Sequence, residues 1–436
     1  MRTRFPSYRG GAHSAGVVIF VQEEFNMKTL IVAIPFFDSS MAVEAYKLIS
    51  RGGQKLVGMM DDYITPWDAV LSPGLDLVKS LGVEPLAGAS PLFIDINEYH
   101  LLMGVPLTLG IAPERLVCVL PNKVRPDDAV INKCRELKEK GFSIAIDGFL
   151  DGHTTNPIFE FVDWVIVDSS DFSPDKKFID AMKGLSKIKK VVISNIRDMD
   201  TYTKLGGISN TLYSGIFYNR PITQGIKDIS PIKINALTLL RQINEEDFDL
   251  SDIAGTIGRD PSLSISLLRF INTVMPRQIN SIRNAVAILG QKEVKRWATA
   301  ALSIQLAEDR PNEITRLSLI RARFAENLAK VFEMGMFSPS LFMMGLFLLL
   351  DVILEKPMDS AAKEVALDEE VRAALVDRTG EFFKVLNLME AYEHADWDDV
   401  AIKLVQNNLK LEEVTDAFIE ALVWYKTLLD AIGKED

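Results

Sequence analysis

The chain has 436 residues, 48% hydrophobic and 25% charged, a globular composition too long for one ordinary core, so two domains are expected. Its net charge of −12 argues against nucleic acid as a main partner, because a phosphate backbone is met by clustered Lys and Arg. Two cysteines, Cys118 and Cys134, match no zinc spacing and no disulfide framework, which fits a reducing, cytoplasmic compartment.

Residues 1–26 carry Arg2, Arg4 and Arg9, then a short apolar run from Ala15 to Val21 that ends in Gln22, Glu23 and Glu24. The run lacks a small-residue cleavage site, so a signal peptide is not expected. The first β-rich run starts at Thr29, just after Met27. Met27 is therefore read as the natural start and residues 1–26 as a disordered or mis-called extension.

From Thr29 to about Tyr218, short β-branched runs alternate with helix-length stretches. The strands expected are Leu30–Phe36, Leu92–Ile96, Leu116–Leu120, Ser143–Ile146, Trp164–Val167, Val191–Ser194 and Leu212–Phe217. Helices are expected over Asp127–Lys140, Lys176–Lys187 and Asp198–Leu205. Strand, crossover helix and strand at this spacing imply parallel pairing, and seven or eight such strands close best as a barrel.

After Pro231 the pattern takes a 3.6-residue period. Ile234–Ile243, Leu250–Ile257, Pro261–Phe270, Ile282–Leu289, Lys292–Gln305 and Ile314–Phe332 each read as a helix with an apolar stripe. Stops are marked at Asp260–Pro261, Met275–Pro276, Leu289–Gly290 and Ser338–Pro339. The most apolar run, Leu341–Leu354, carries Asp351 and reads as a buried core helix, not a membrane span. The fold class is thus an α/β barrel plus an all-helical domain: 27–223 barrel, 224–231 linker, 232–436 helical.

In such a barrel, functional residues sit at the C-terminal ends of strands, which gives Asp38, Asp95, Cys118, Asp147, Asp168, Ser194 and Asn195. Carboxylates there could hold Mg²⁺ or Mn²⁺. The plainer alternative is that an Asp after a strand caps the next helix.

Four stretches resemble the EAL domains that hydrolyse cyclic di-GMP. Ala33-Ile34-Pro35-Phe36-Phe37-Asp38 is similar to the opening Q-P-I-F-D strand, and Tyr46-Lys47-Leu48-Ile49-Ser50-Arg51 to the signature Y-E-L-L-x-R. Ala145-Ile146-Asp147-Gly148-Phe149-Leu150-Asp151-Gly152 is similar to A-L-D-D-F-G-x-G, and Ser214-Gly215-Ile216-Phe217-Tyr218-Asn219-Arg220-Pro221 to Q-G-Y-x-F-x-x-P. The resemblance implies a (β/α)8-type barrel with a two-cation site. Against that pattern, Lys47 replaces the signature Glu, Asp95 an Asn, Cys118 a Glu, Gly148 an Asp, Ile166 a Lys and Ser194 a Glu. Asp147 and Asp168 remain, and an ion pair of Lys47 with one of them is expected. Arg51 is the basic residue that the family places near a phosphate; its alternative is an exposed Arg at a helix end. Arg51, Asp147 and Asp168 are therefore the vestigial ligand-binding candidates.

The second half resembles the HDOD domain, the modified HD-GYP family. Asp260-Pro261-Ser262-Leu263-Ser264, Leu267-Leu268-Arg269-Phe270-Ile271-Asn272, Ala285-Val286-Ala287-Ile288-Leu289-Gly290 and Trp297 carry the likeness, then Phe342–Phe347, Leu350-Asp351, Tyr392-Glu393 and Asp396-Trp397. The His-Asp pair of a metal-dependent HD enzyme is Leu350-Asp351 here. The half has one histidine, His394, read as a surface or capping residue. The expectation is a bacterial, non-enzymatic signal-transduction protein with no metal and no cofactor, acting through other signalling proteins, with homodimerisation compatible with the resemblance. The alternatives are an effector that binds cyclic di-GMP and an active hydrolase with an unorthodox site.

Overall fold

The structure is a computed structural model that describes residues 29–52, 73–148, 155–172, 175–219, 231–244, 248–275, 277–307, 312–365 and 367–432. The expected extension before Met27, the loop Phe149–Gly152, Arg220-Pro221 and most of the joint at 224–231 lie outside the described residues.

Eight strands, β1 (Thr29–Phe37), β2 (Val43–Gly52), β3 (Leu92–Asp95), β4 (Leu116–Pro121), β5 (Ser143–Asp147), β6 (Trp164–Asp168), β7 (Lys190–Ile196) and β8 (Thr211–Gly215), close a barrel in chain order. From β2 to β8 neighbours are parallel, as the crossover spacing implies. The expectation of a uniformly parallel barrel fails at β1, which is antiparallel to β2 and β8. The reason is the short link. Only Asp38–Ala42 separates β1 from β2, and the Asp38 carboxylate accepts from Ser40 N at 2.7 Å and Ala42 N at 2.9 Å, tying a tight reversal.

Strand alternation builds two apolar layers. Inward-facing Phe36, Ala45, Phe93, Val117, Val119, Ala145, Ile166, Val192 and Leu212 form a closed interior cluster, in which the Phe36 and Phe93 rings meet edge to face at 5.0 Å. The alternate residues face outward onto the helices, so the strands are apolar on both faces. Around the barrel lie α1 (Pro73–Leu81), α2 (Glu84–Ala87), α3 (Glu98–Leu102), α4 (Asp128–Glu139), α5 (Lys176–Leu185) and α6 (Met199–Leu205). The last three match the sequence pattern because Asp127, Asp175 and Asp198 cap them, each accepting from the backbone N–H three residues on.

The helical half comprises α7 (Pro231–Asn244), α8 (Leu250–Ile257), α9 (Pro261–Val274), α10 (Ile282–Leu306), α11 (Asn312–Val331), α12 (Ser338–Leu346), α13 (Leu350–Leu354), α14 (Met358–Glu364), α15 (Glu369–Arg372), α16 (Glu381–Glu393), α17 (Trp397–Gln406) and α18 (Leu411–Ile432). The expected stop at Leu289–Gly290 is a kink within α10, where Gly290 takes φ 72°. Gly345 lets α12 press on α11: a Cβ there would stand 2.3 Å from the Arg321 carbonyl oxygen. Gly335–Leu354 is long and apolar enough to cross a membrane by composition, but it is broken into short helices and is 72% buried.

The two halves share one continuous apolar core. α16 and α18 pack on β1, and α18 also on α2. Ile31 N on β1 donates to the Tyr392 hydroxyl of α16 at 3.3 Å, a backbone contact between the first strand and a helix 361 residues on. Lys426 of α18 meets Glu84 at 2.5 Å.

Candidate functional site

Lys47, midway along β2, and Asp95, Pro121, Asp147, Asp168, Ser194 and Ser214, at the C-terminal ends of the following strands, are inward positions, each two residues beyond an interior apolar residue. The Lys47 ammonium lies 2.5 Å from Asp147 Oδ2 and 3.3 Å from Asp95 Oδ1. The expected Lys47–Asp147 ion pair is therefore present, with Asp95 as a second partner. The lysine side chain is 12% exposed, and its two carboxylates are 58% and 44% exposed. Burial by itself would lower the Lys47 pKa, yet Asp95 and Asp147 hold it above the ordinary lysine value, so the ammonium stays charged.

Asp168 lines the same cavity as Lys47. Its carboxylate accepts from Ser170 N and Oγ, both at 2.7 Å, capping the short turn after β6, so the capping alternative holds for this residue. Ser194 donates to the Val167 carbonyl at 3.3 Å. Arg51 sits near the end of β2, opposite Leu30 of β1; its side chain lies outside what is described.

Strand geometry corrects two of the expected mouth residues. Asp38 is at the opposite end of the barrel, because β1 runs against the other strands and its last residues pair with the first of β2. Cys118 faces outward, since Val117 and Val119 on either side point inward. Its buried thiol lies among the helix-facing residues with Cys134 of α4, and burial pushes it up to about 12. The β4 residue at the mouth is Pro121.

A cavity of about 380 Å³ opens on this end, near the lower limit of the roughly 300–1,000 Å³ of small-molecule sites. The barrel contributes Lys47, Asp147, Asp168, Ser194, Asn195 and Tyr218 among others. Asn195 is brought there by an irregularity: the β7–β8 register shifts between Ile193 and Ile196, and Asn195 takes φ 61°. Gly215 makes the shift possible, since a Cβ there would stand 2.0 Å from the Ile196 carbonyl oxygen.

The opposite wall comes from the helical half: Leu317, Ile320 and Arg321 of α11, Glu393 and His394 at the end of α16, and Phe418 and Leu422 of α18. It is held by buried polar contacts. Tyr46 donates to Glu313 Oε2 at 2.6 Å, and Arg316 donates to Glu313 Oε1 and to the Leu86 carbonyl, both at 3.0 Å. The Arg316 guanidinium also lies 4.5 Å from the Tyr46 ring centre. Arg321 grips Glu393 through Nε and Nη2, at 2.6 to 2.9 Å. His394, read from the sequence as a surface or capping residue, is exposed and caps the end of α16; its place on the cavity and the rest of this wall are missed, because nothing local signals a cavity assembled from residues far apart in the chain.

The two divalent cations implied by the EAL resemblance do not fit these side chains. An ammonium stands between the carboxylates that would hold them, and Asp168 is committed to Ser170. Among the described residues no group of three or more His, Cys, Asp and Glu side chains is arranged to hold a metal ion. In the helical half, Asp351 accepts from Val352 N at 2.8 Å, and burial raises its pKa above the usual carboxylate range.

Residues 230–377 match the HDOD domain family. Over 407 residues the chain is 25% identical to a Vibrio cholerae protein named cyclic di-GMP phosphodiesterase CdgJ, covering 92% of this chain and 93% of the relative. It has the EAL–HDOD architecture. The Bacillus subtilis protein YuxH is 26% identical over 419 residues, covering 93% of this chain and 100% of its own. Among solved structures, a Listeria monocytogenes EAL domain protein aligns with 44% of the chain and 88% of its own length, at 17% identity and a TM-score of 0.36. Klebsiella pneumoniae BlrP1 aligns with 44% of this chain and 55% of its own length, at 13% identity and the same TM-score.

The expectation of a non-enzymatic protein is corrected by the first of these relatives. A match over nine-tenths of both chains to a protein named a phosphodiesterase points toward an enzyme. The losses at the cation site speak only to one way of assembling a catalytic centre.

Proposed function

We propose that this EAL–HDOD protein acts on cyclic di-GMP at the barrel mouth and passes the outcome to a protein partner through its helical half. The observation that carries the reading is the Lys47–Asp147 ion pair on the wall of a cavity in a closed (β/α) barrel, with Asp95 as the second partner of the lysine. Of the three N–H donors of the charged Lys47 ammonium, the two carboxylates engage two, and the third can be offered to a phosphodiester oxygen. The relative's name brings cleavage of that phosphodiester as the reaction to assay.

The test is calorimetric titration of the purified chain with cyclic di-GMP, with chromatography of the same samples for the linear dinucleotide. Heat of binding or product formation, reduced at least about tenfold by Lys47→Met, supports the reading. Neither heat nor product at millimolar nucleotide refutes it.

A further inference from the structure

The cavity at the barrel mouth has two owners, and the second has no part in any barrel chemistry. We infer that the helical half supplies half of the nucleotide site, with His394 as a ligand-contacting residue and Leu317, Ile320 and Leu422 as an apolar wall for a nucleobase. The inference rests on the reading of the barrel mouth as the cyclic dinucleotide site.

Three observations lead to it. The cavity is lined from both halves, with charged barrel residues on one side and an apolar helical face on the other. A cyclic dinucleotide has that same division, charged phosphodiesters and flat apolar bases, and bases are held by apolar and aromatic faces. The wall is also fixed in place. Tyr46, Glu313, Arg316 and the Leu86 carbonyl form one buried hydrogen-bonded group across the joint, and the Arg321–Glu393 pair braces α11 against the end of α16 immediately before His394. His394 caps the end of α16 and lines the cavity as an exposed residue; its backbone N–H donates to the Glu390 carbonyl, which fixes where its side chain leaves the helix.

A ligand in this cavity touches the barrel and the HDOD helices at once. Occupancy is thereby felt in the helical half by direct contact, with no relay through the barrel.

The experiment uses the full chain with cyclic di-GMP as the probe. Hydrogen–deuterium exchange is recorded with and without nucleotide, and affinity is measured for the parent, His394→Gln and Leu422→Asn. The expected result is protection in β2 around Lys47 and at the end of β5 together with α11 and residues 393–395, and a loss of affinity of about tenfold in each variant. Protection confined to barrel strands, with unchanged affinity in both variants, overturns the shared site and leaves the barrel reading standing. Absence of any binding to the folded parent chain overturns both. His394 is exposed, so His394→Gln keeps the test open should Leu422→Asn fold poorly.

Discussion

The Tyr46–Glu313–Arg316 group should be a main fastening between barrel and helices. Glu313 and Arg316 are both buried, and the Glu313 carboxylate accepts from Tyr46 and from Arg316. Glu313→Leu would leave the Arg316 charge buried beside an unpaired tyrosine hydroxyl. Removing one member of a buried pair costs about 3–5 kcal/mol. Arg316 would keep the Leu86 carbonyl and the Tyr46 ring, which places the cost near about 3 kcal/mol. Tyr46→Phe removes one hydrogen bond to a charged group and should cost about 1.5–3 kcal/mol. Glu313→Leu with Arg316→Leu removes both charges together and should cost clearly less than the sum of the single changes. The assay is urea unfolding followed by tryptophan fluorescence and near-ultraviolet circular dichroism, which together report Trp164 in the barrel and Trp297, Trp397 and Trp424 in the helices. A Glu313→Leu cost below about 1 kcal/mol, or strict additivity in the double variant, would refute the reasoning.

Lys47→Glu replaces the ammonium between Asp95 and Asp147 with a third carboxylate, so it should destabilise the chain without divalent cations and create a Mn²⁺-dependent rise in melting temperature that the parent lacks; equal Mn²⁺ response in both would count against the geometry. The raised Lys47 pKa means its stabilising effect is complete below the ordinary lysine value and is lost as pH climbs through the higher folded value, so the parent should lose its advantage over Lys47→Met only in strongly alkaline solution, seen in melts across pH. Gly215→Ala should cost more than about 3 kcal/mol or prevent folding, because its Cβ overlaps the Ile196 carbonyl and its φ is 146°; a normal melting curve would contradict the β7–β8 register. Cys118 and Cys134 are buried with thiols raised to about 12 and about 11, so neither should react with a thiol reagent at pH 7 until urea unfolds the chain.

Element positions were legible where local chemistry decides them. α8 was expected at Leu250–Ile257 and lies there, fixed by its Asp249 cap and by Gly258 after it. The direction of β1 was not legible, because the reversal depends on one Asp side chain folding back on a turn free of Gly and Pro. Strict alternation from Val117 would have turned Cys118 outward, so that error was avoidable. That Lys47 pairs with Asp147 or Asp168 could be expected in advance, because all three are inward positions of the same barrel; which of the two could not. Asp95 as a second partner and His394 at the cavity required knowing which strands and helices are neighbours across the closed barrel, which no single segment encodes.

The bond from Ile31 to Tyr392, with α18 lying on the same strand, sets a constraint on the order of assembly during synthesis. Strand β1 is finished by helices translated long after it. At about 5–20 residues per second, the roughly 390 residues between Ile31 and Phe418 take roughly 20–80 s to make. Throughout that interval the outer edge of β1 has no cover, so the barrel cannot mature as a finished unit ahead of the helices.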